Sequence, residues 1–393
     1  MAWKNYRHLR VKRIWIEKTT KPSRLAVKDF ITRCVSALLK EWILVLTLLG
    51  LVFTSIYLKR LPSYSLQDVQ ILYILWVLFI SIKGLENESF FSYVGEILKR
   101  SRFLSLRLVL GTLILSMIVT NDVALLIVVP LTLSIEVKRR DILIILEALA
   151  ANTGSALTPF GNPQNLFIFW FYHLHLPEFI STILPFFIFF SCILLLISLF
   201  VGAEVEDSTR EEVRLSSKII VHLFLLVISI LAILKIIPIW ITCAALLHAL
   251  IWDRRSFKVD YILLLTFFCF FGFTDNLLHM INMKINTPSQ VFLFSAFFSQ
   301  VISNVPAALF FSDFTLHWKA LLWGVSVGGF GNLIGSMANL IAYRFVSMAR
   351  DFSPRFIVRF HIMGYVAFFL GIVLYFVIEH PGDITCFLSR ILP

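Results

Sequence analysis

Four short polar breaks interrupt an otherwise apolar chain, and they hold the residues able to do chemistry. They are Thr120-Asn121-Asp122, the run ANTGSALTPFGNPQN over 151–165, Ser303-Asn304-Val305-Pro306, and GGFGNLIGSMANL over 328–340. A helix broken inside hydrocarbon exposes unpaired N–H groups at one stump and unpaired carbonyls at the other. The first attract anions and the second cations. Asn, Ser and Thr cap such stumps. Pro163 and Pro306 suit the first turn of a restarted helix, with Asn162 and Val305 just ahead. Gly154, Gly161, Gly328, Gly329, Gly331 and Gly335 let backbone approach a ligand or a neighbouring helix. Small residues also serve plain helix packing. Here the breaks recur in matched order, Asn121 answering to Asn304 and Asn165 to Asn339, which favours a binding role. The match is of order and type, since the internal spacings are 44 and 35 residues.

Asp122 is the ionisable residue singled out, because acids within a membrane are expensive and usually functional. It can bind a coupling cation or proton, and can at the same time cap a helix over 123–136. Glu147 is a second candidate, for which a packed or interfacial role fits equally well. Glu86, Glu88, Asp275 and Asp313 are expected near the membrane surfaces. His173 and His175 form an isolated HxH, and two nitrogens do not make a zinc site, so no metal centre is expected. No nucleophile elbow, phosphate loop or HExxH occurs. The nine histidines are dispersed, which argues against an enzyme, and nothing supports direct coupling to ATP. No cofactor is expected beyond a coupling ion, sodium or proton.

The elements that must position these breaks are set by composition. Of the 393 residues 59% are hydrophobic and 15% charged, with a mean hydropathy of +0.86. A soluble domain must keep its outer face wet and cannot carry that much apolar surface. One helical membrane domain of roughly ten spans fits, at about 20 apolar residues each. The net charge of +11 is concentrated at the start, where residues 1–40 carry eleven basic side chains against Glu17 and Asp29. That pattern is a cytoplasmic N-terminus ahead of a first span, and not a nucleic-acid surface. Residues 25–40 read as an amphipathic helix lying on the inner membrane surface or packing on the transporter body. The cysteines Cys34, Cys192, Cys243, Cys269 and Cys386 are scattered singly, without CxxC or metal spacing. The first apolar run begins near Trp42, so no conventional cleavable signal peptide is expected.

Spans are expected over 42–58, 69–83, 180–201, 218–234, 239–252, 260–273 and 361–379. Interrupted pairs are expected over 104–119 with 123–136 and over 290–302 with 305–316. Broken segments cover 142–172 and 319–343. Each interrupted pair is either two full crossings or a hairpin turning at mid-depth, and charge does not decide between them. Two spans, an interrupted pair, a broken span and a full span occur twice around the linking span 218–234, so the second set lies upside down. The expected organisation is a basic N-terminal segment 1–41, a first repeat 42–201, a loop and linking span 202–238, and an inverted second repeat 239–393.

The stretches IVTNDVALLIVVPLTL, ANTGSALTPFGNPQNLFIF, SQVISNVPAAL and GGFGNLIGSMANLIA resemble the ion transporter superfamily. That group comprises citrate-transporter-like permeases, arsenite permeases, sodium/proton antiporters and divalent-anion sodium symporters. The resemblance covers most of residues 40–380. It implies an all-α polytopic membrane protein, an inverted-repeat transporter with two re-entrant helical hairpins and two broken helices. By the same resemblance, substrate is bound by Thr120, Asn121, Asp122, Thr158, Pro159, Asn162, Asn165, Ser303, Asn304, Val305, Ser336 and Asn339. The coupling ion falls to Asn121, Asp122, Asn152, Gly154, Gly161, Asn304, Gly329, Gly331 and Asn332. The dicarboxylate symporters carry Ser-Asn-Thr at both tips, whereas here Asp122 and Val305 replace the final Thr. A buried carboxylate repels an anion unless it is protonated or cation-bound. The departure leans toward proton coupling, a cation site, or a neutral or metal-complexed substrate.

The resulting expectation is an ion-coupled permease for a small anion or polar solute, held between the hairpin tips. The alternative is a sodium/proton antiporter with no organic substrate. Lipid and a small-molecule or inorganic-anion substrate are the expected partners, with no nucleic acid. A homodimer is expected by analogy, and a bacterial inner membrane is the expected location.

Overall fold

Runs of Leu, Ile, Val and Phe this long can satisfy their backbone in lipid only as helices or closed barrels, and here they form helices. The computed structural model describes residues 42–98, 103–135, 137, 139–201, 216, 218–280, 285–349 and 352–379. The basic segment 1–41 with its amphipathic stretch, and the loop 202–215, lie outside the described residues. Among the described residues there are sixteen α-helices, two 3-10 turns and no strand. In chain order the first five helices are α1 (Trp42–Leu58), α2 (Leu66–Asn87), α3 (Phe90–Leu98), α4 (Leu104–Ile118) and α5 (Asn121–Leu133). Then come α6 (Arg140–Ala156), α7 (Pro163–Phe171), α8 (Leu176–Leu199), α9 (Ile219–Ile233), α10 (Cys243–Ile251) and α11 (Tyr261–Met280). The chain continues as α12 (Pro288–Ile302), α13 (Asn304–Ser312), α14 (Trp318–Gly328), α15 (Met337–Met348) and α16 (Arg355–Glu379).

Four of these, α2, α8, α11 and α16, are long and apolar enough to cross a membrane. Their outer faces are greasy: on α16, Val358, Ile362, Val366, Phe369 and Val373 are all exposed, a single stripe at helical spacing. The chain is therefore an integral, polytopic membrane protein. The expected span over 239–252 takes a different form. Pro238 precedes a 3-10 turn of 4 residues, Ile239–Thr242, and then the 9 residues of α10. Together they run from the Tyr73 end of α2, where Tyr73 and Thr242 share a hydrogen bond of 3.0 Å, to its Asn87 end, where Asn87 donates to Asp253 at 3.2 Å.

The polar breaks are narrower than the polar runs. Helix α6 continues through Asn152, Thr153, Gly154 and Ser155 to Ala156, and the chain is non-helical only until Pro163 opens α7. Thr153 donates to the Leu149 carbonyl (2.8 Å) and Ser155 to the Asn152 carbonyl (3.2 Å), so polarity is satisfied within the helix. In the second half the break runs from Gly329 to Ser336.

The two interrupted pairs, α4–α5 and α12–α13, fold tightly against the half-helices that follow them, α6 and α14. Glycine makes this possible in both halves. A Cβ on Gly154 would collide with the Leu113 carbonyl of α4, and one on Gly328 with the Ser299 side chain of α12. The halves also exchange partners. Helix α1 packs on α11 and α9 packs on α2. Asn276 donates to Thr54 Oγ1 (3.1 Å) and Ser55 Oγ (2.9 Å) in the first contact. Ser81 and Ser229 share a hydrogen bond of 2.9 Å in the second.

Candidate functional site

The first tip is a helix start. Thr120 is extended (φ −138°, ψ 159°) and its side chain accepts the Val123 N–H at 3.4 Å. Thr120, not Asp122, is thus the cap of α5, and the helix opens at Asn121 with Asp122 in its first turn. The second tip is tighter. Ser303 takes φ 74° between α12 and α13, a left-handed conformation that costs a non-glycine residue energy.

Each tip is tied to the break of its own half by the same bond. The Asn121 N–H donates to the Gly161 carbonyl at 3.2 Å, and the Asn304 N–H to the Gly335 carbonyl at 3.0 Å. The matched asparagines also do matched work. Asn165 Nδ2 reaches the carbonyls of Ser155 (3.0 Å), Ala156 (3.1 Å) and Thr158 (3.1 Å). Asn339 Nδ2 reaches those of Gly329 (2.9 Å) and Asn332 (3.0 Å). These are the orphan carbonyls that a helix C-terminus leaves.

Asparagines also join the halves. Asn152 Nδ2 donates to Asn339 Oδ1 (2.8 Å) and approaches the Gly329 carbonyl (3.2 Å). Asn121 Nδ2 lies 3.3 Å from both Asn152 Oδ1 and Ser336 Oγ. The hairpin tip of the first half and the break of the second thereby meet.

Where they meet there is a cavity of about 90 Å³. Asn121 and Asp122 of the first tip line it, with Ser303, Asn304 and Val305 of the second. Asn162 and Ser336 reach it from the two breaks, and Trp42, Asp260 and Arg344 also contribute. The other expected residues lie behind this wall. Thr158 donates to the Met117 carbonyl at 2.8 Å, and Pro159 is buried in the break. Asn165 and Asn339 cap carbonyls. Gly154 is a packing contact. Gly161 and Gly329 supply carbonyls to Asn121 and Asn339. Gly331 takes φ 82° and donates its N–H to Gly364 at 3.0 Å. Asn332 folds its side chain onto the N–H groups of Ile334 (2.9 Å) and Gly335 (2.8 Å).

Two buried acceptors in the cavity wall, Asp122 Oδ1 and Asn162 Oδ1, have no hydrogen-bond partner. Buried polar atoms are rarely left so; a donor or a cation satisfies either, and a proton on the carboxyl also satisfies Asp122. Sequence reasoning missed Gln300, whose amide donates to the carbonyls of Gly328 (2.8 Å) and Phe330 (3.2 Å) and accepts from Asn332 N–H (3.0 Å). It also missed Gln164, Asp260 and Arg344 as lining residues. Gln164 stood inside a quoted motif. Asp260 stood at the start of the expected span 260–273, and Arg344 just after the broken segment 319–343.

The chain is similar in sequence to known transporters. Residues 30–328 match the family described as citrate transporter. An uncharacterized transporter of Methanocaldococcus jannaschii is 32% identical over 318 residues, covering 76% of this chain and 89% of that protein. The inner membrane protein YbiR of Escherichia coli is 34% identical over 313 residues, 72% of this chain and 80% of that one. The silicon efflux transporter LSI3 of rice (Oryza sativa subsp. japonica) is 30% identical over 148 residues, 35% of this chain and 30% of that one.

Proposed function

We propose that this chain, which belongs to the citrate transporter family, is an ion-coupled secondary transporter for a small polar solute bound between its two hairpin tips. The observation that carries this reading is the single cavity reached by both tips and both breaks. A site built at the contact of two tied but separable pairs can be opened from either side as they shift. The short arms support re-entry: the 13 residues of α5 and the 9 of α13 reach about 20 and 14 Å, too little to cross.

The unpartnered acceptors narrow the solute. A polycarboxylate brings acceptors to Asp122 Oδ1 and Asn162 Oδ1, and like charge to Asp122. A solute bearing hydroxyl donors, or a metal-complexed anion, satisfies both. The relative named as a silicon efflux transporter supports this choice, since dissolved silicon is a neutral hydroxylated acid. The same two oxygens also suit a bound cation. That favours sodium/proton antiport as a second reading, separable by sodium-driven proton flux in proteoliposomes without solute.

Orientation follows from charge. Arg139, Arg140, Arg254, Arg255, Lys258, Arg344, Arg355 and Arg359 flank helix ends that alternate spans bring to one face, the cytoplasmic one by the positive-inside rule. Arg344 and Asp260 at the cavity support an inward-facing reading, in which α4–α5 enters from inside and α12–α13 from outside. A bacterial inner membrane, a cytoplasmic N-terminus and a homodimer complete the proposal. The relative named as an inner membrane protein supports the location.

Thermal stability of the purified protein tests it, measured against sodium, lithium and pH with citrate, succinate, phosphate, sulfate, arsenite and silicic acid. Stabilisation by a solute that depends on sodium or pH is expected. Stabilisation by cation alone moves the assignment to the antiporter.

A further inference from the structure

Glu147 takes no part in the cavity, yet it is a carboxyl group fully buried in the middle of α6. Its Oε1 accepts the Thr132 hydroxyl from α5, at 2.5 Å. Its Oε2 is buried and has no hydrogen-bond partner. The elements packed on α6 carry Arg107 (α4), Asp122 (α5), Glu178 and Cys192 (α8), Lys319 (α14), and Tyr343 and Arg344 (α15). Helix α16 adds Arg355, Arg359, His361, Tyr365, Tyr375 and Glu379. On α6 itself, Arg140 and Asp141 stand in the first turn, with Asp141 paired to Arg359 at 3.1 Å. Around the Glu147 carboxyl itself the structure shows burial and the Thr132 hydroxyl.

A carboxylate in that place would be a charge with one hydrogen bond and no counter-ion, which a buried site does not tolerate. A carboxylic acid leaves only one O–H unmet, a far smaller cost. The packing seen here therefore accommodates the protonated group. We infer that Glu147 is a proton-carrying site of the transport cycle, resting on the reading of this protein as an ion-coupled transporter. It holds its proton in the arrangement described and gives it up in one where a shift of the α4–α5 pair brings water or a donor to Oε2. The step makes and breaks only an O–H bond: the proton is taken from water on one face and returned to water on the other. Thr132 donates to Oε1 in either protonation state, so the hairpin arm stays tethered throughout. Because protonation and conformation share one equilibrium, a proton gradient biases the conformation and the solute it carries.

Glu147→Gln keeps the acceptor for Thr132 and the side-chain shape but cannot lose a proton. In proteoliposomes, with citrate and silicic acid as solute probes, the variant should retain solute exchange at equal concentrations. It should lose accumulation driven by a pH gradient, its concentration ratio falling to equilibration. Accumulation with unchanged pH dependence overturns the inference. So does loss of exchange together with accumulation in folded, monodisperse protein, which would make Glu147 a structural group. The infrared C=O stretch of a protonated carboxyl needs no solute. A band that titrates in the wild type and is absent from Glu147→Gln is expected. If the wild type moves neither probe, the transport reading has failed for these solutes and the band alone decides. A band that is unaltered by the substitution, or that does not titrate, then overturns the proton site.

Discussion

Side chains of one type divide here into two jobs, and the division is testable. Asn165 and Asn339 cap buried carbonyls, whereas Asn121 and Asn304 face the cavity. Asn165→Ala should lower stability by about 1–3 kcal/mol, the cost of unmet buried polar groups, read as a fall in melting temperature. Asp122→Asn keeps the size and the α5 start but removes the charge. Transport by this variant should lose its sodium or pH dependence; a profile matching the wild type would remove Asp122 from the coupling site. Asp313, in the turn after α13, differs again. Burial, with neighbouring Asp68 and Asp275, pushes its carboxyl up to about 6 against the pull of Thr274. A group raised on folding favours the folded state at low pH and loses that contribution as pH rises through about 6. Asp313→Asn should therefore raise the melting temperature at pH 8 more than at pH 5. Sequence marked Asn121, Asp122, Ser303 and Asn304 because polar residues in hydrocarbon stand out. It did not separate lining from capping residues, since an Asn that binds a solute and an Asn that ends a helix are the same letter. Gln300 stood inside the quoted stretch SQVISNVPAAL, but one amide there gave no sign that it would hold the carbonyls of the second break.

At the scale of elements, the contacts of α4 with α6 and of α12 with α14 set the shape of the site. Both depend on glycine where backbones touch. Gly154→Val should separate α4 from α6 and cost about 1–3 kcal/mol or more through overpacking, seen as poor yield of folded protein or a lower melting temperature. Gly95→Ala on α3 is the control, since its nearest neighbour is a Leu131 methyl at 3.9 Å, and it should be tolerated. The spans, interrupted pairs and broken segments were legible as helices from apolar run length, whereas the 9-residue α3 was not among them. Boundaries were not legible, because Thr153 and Ser155 hydrogen-bond back along α6 and keep a polar run helical.

For the whole molecule, Asp260 and Arg344 at the cavity lining make the proposed inward-facing state testable. In that proposed state Val305 is exposed to the basic side, and α13 packs on α7 and α11 away from it. With Cys34, Cys192, Cys243, Cys269 and Cys386 replaced, Val305→Cys should react with a membrane-impermeant maleimide in inside-out vesicles. It should react only slowly in right-side-out ones. A solute that stabilises the protein should slow the first reaction by occupying the cavity. It should speed the second, because turnover requires the outward-facing state to be populated. Equal labelling from both sides at rest would mean that the tips do not close off the path, and the molecule would then be a channel. Labelling that follows the solute in opposite directions on the two sides is what alternating access demands, and neither a passive pore nor a static binding site produces it.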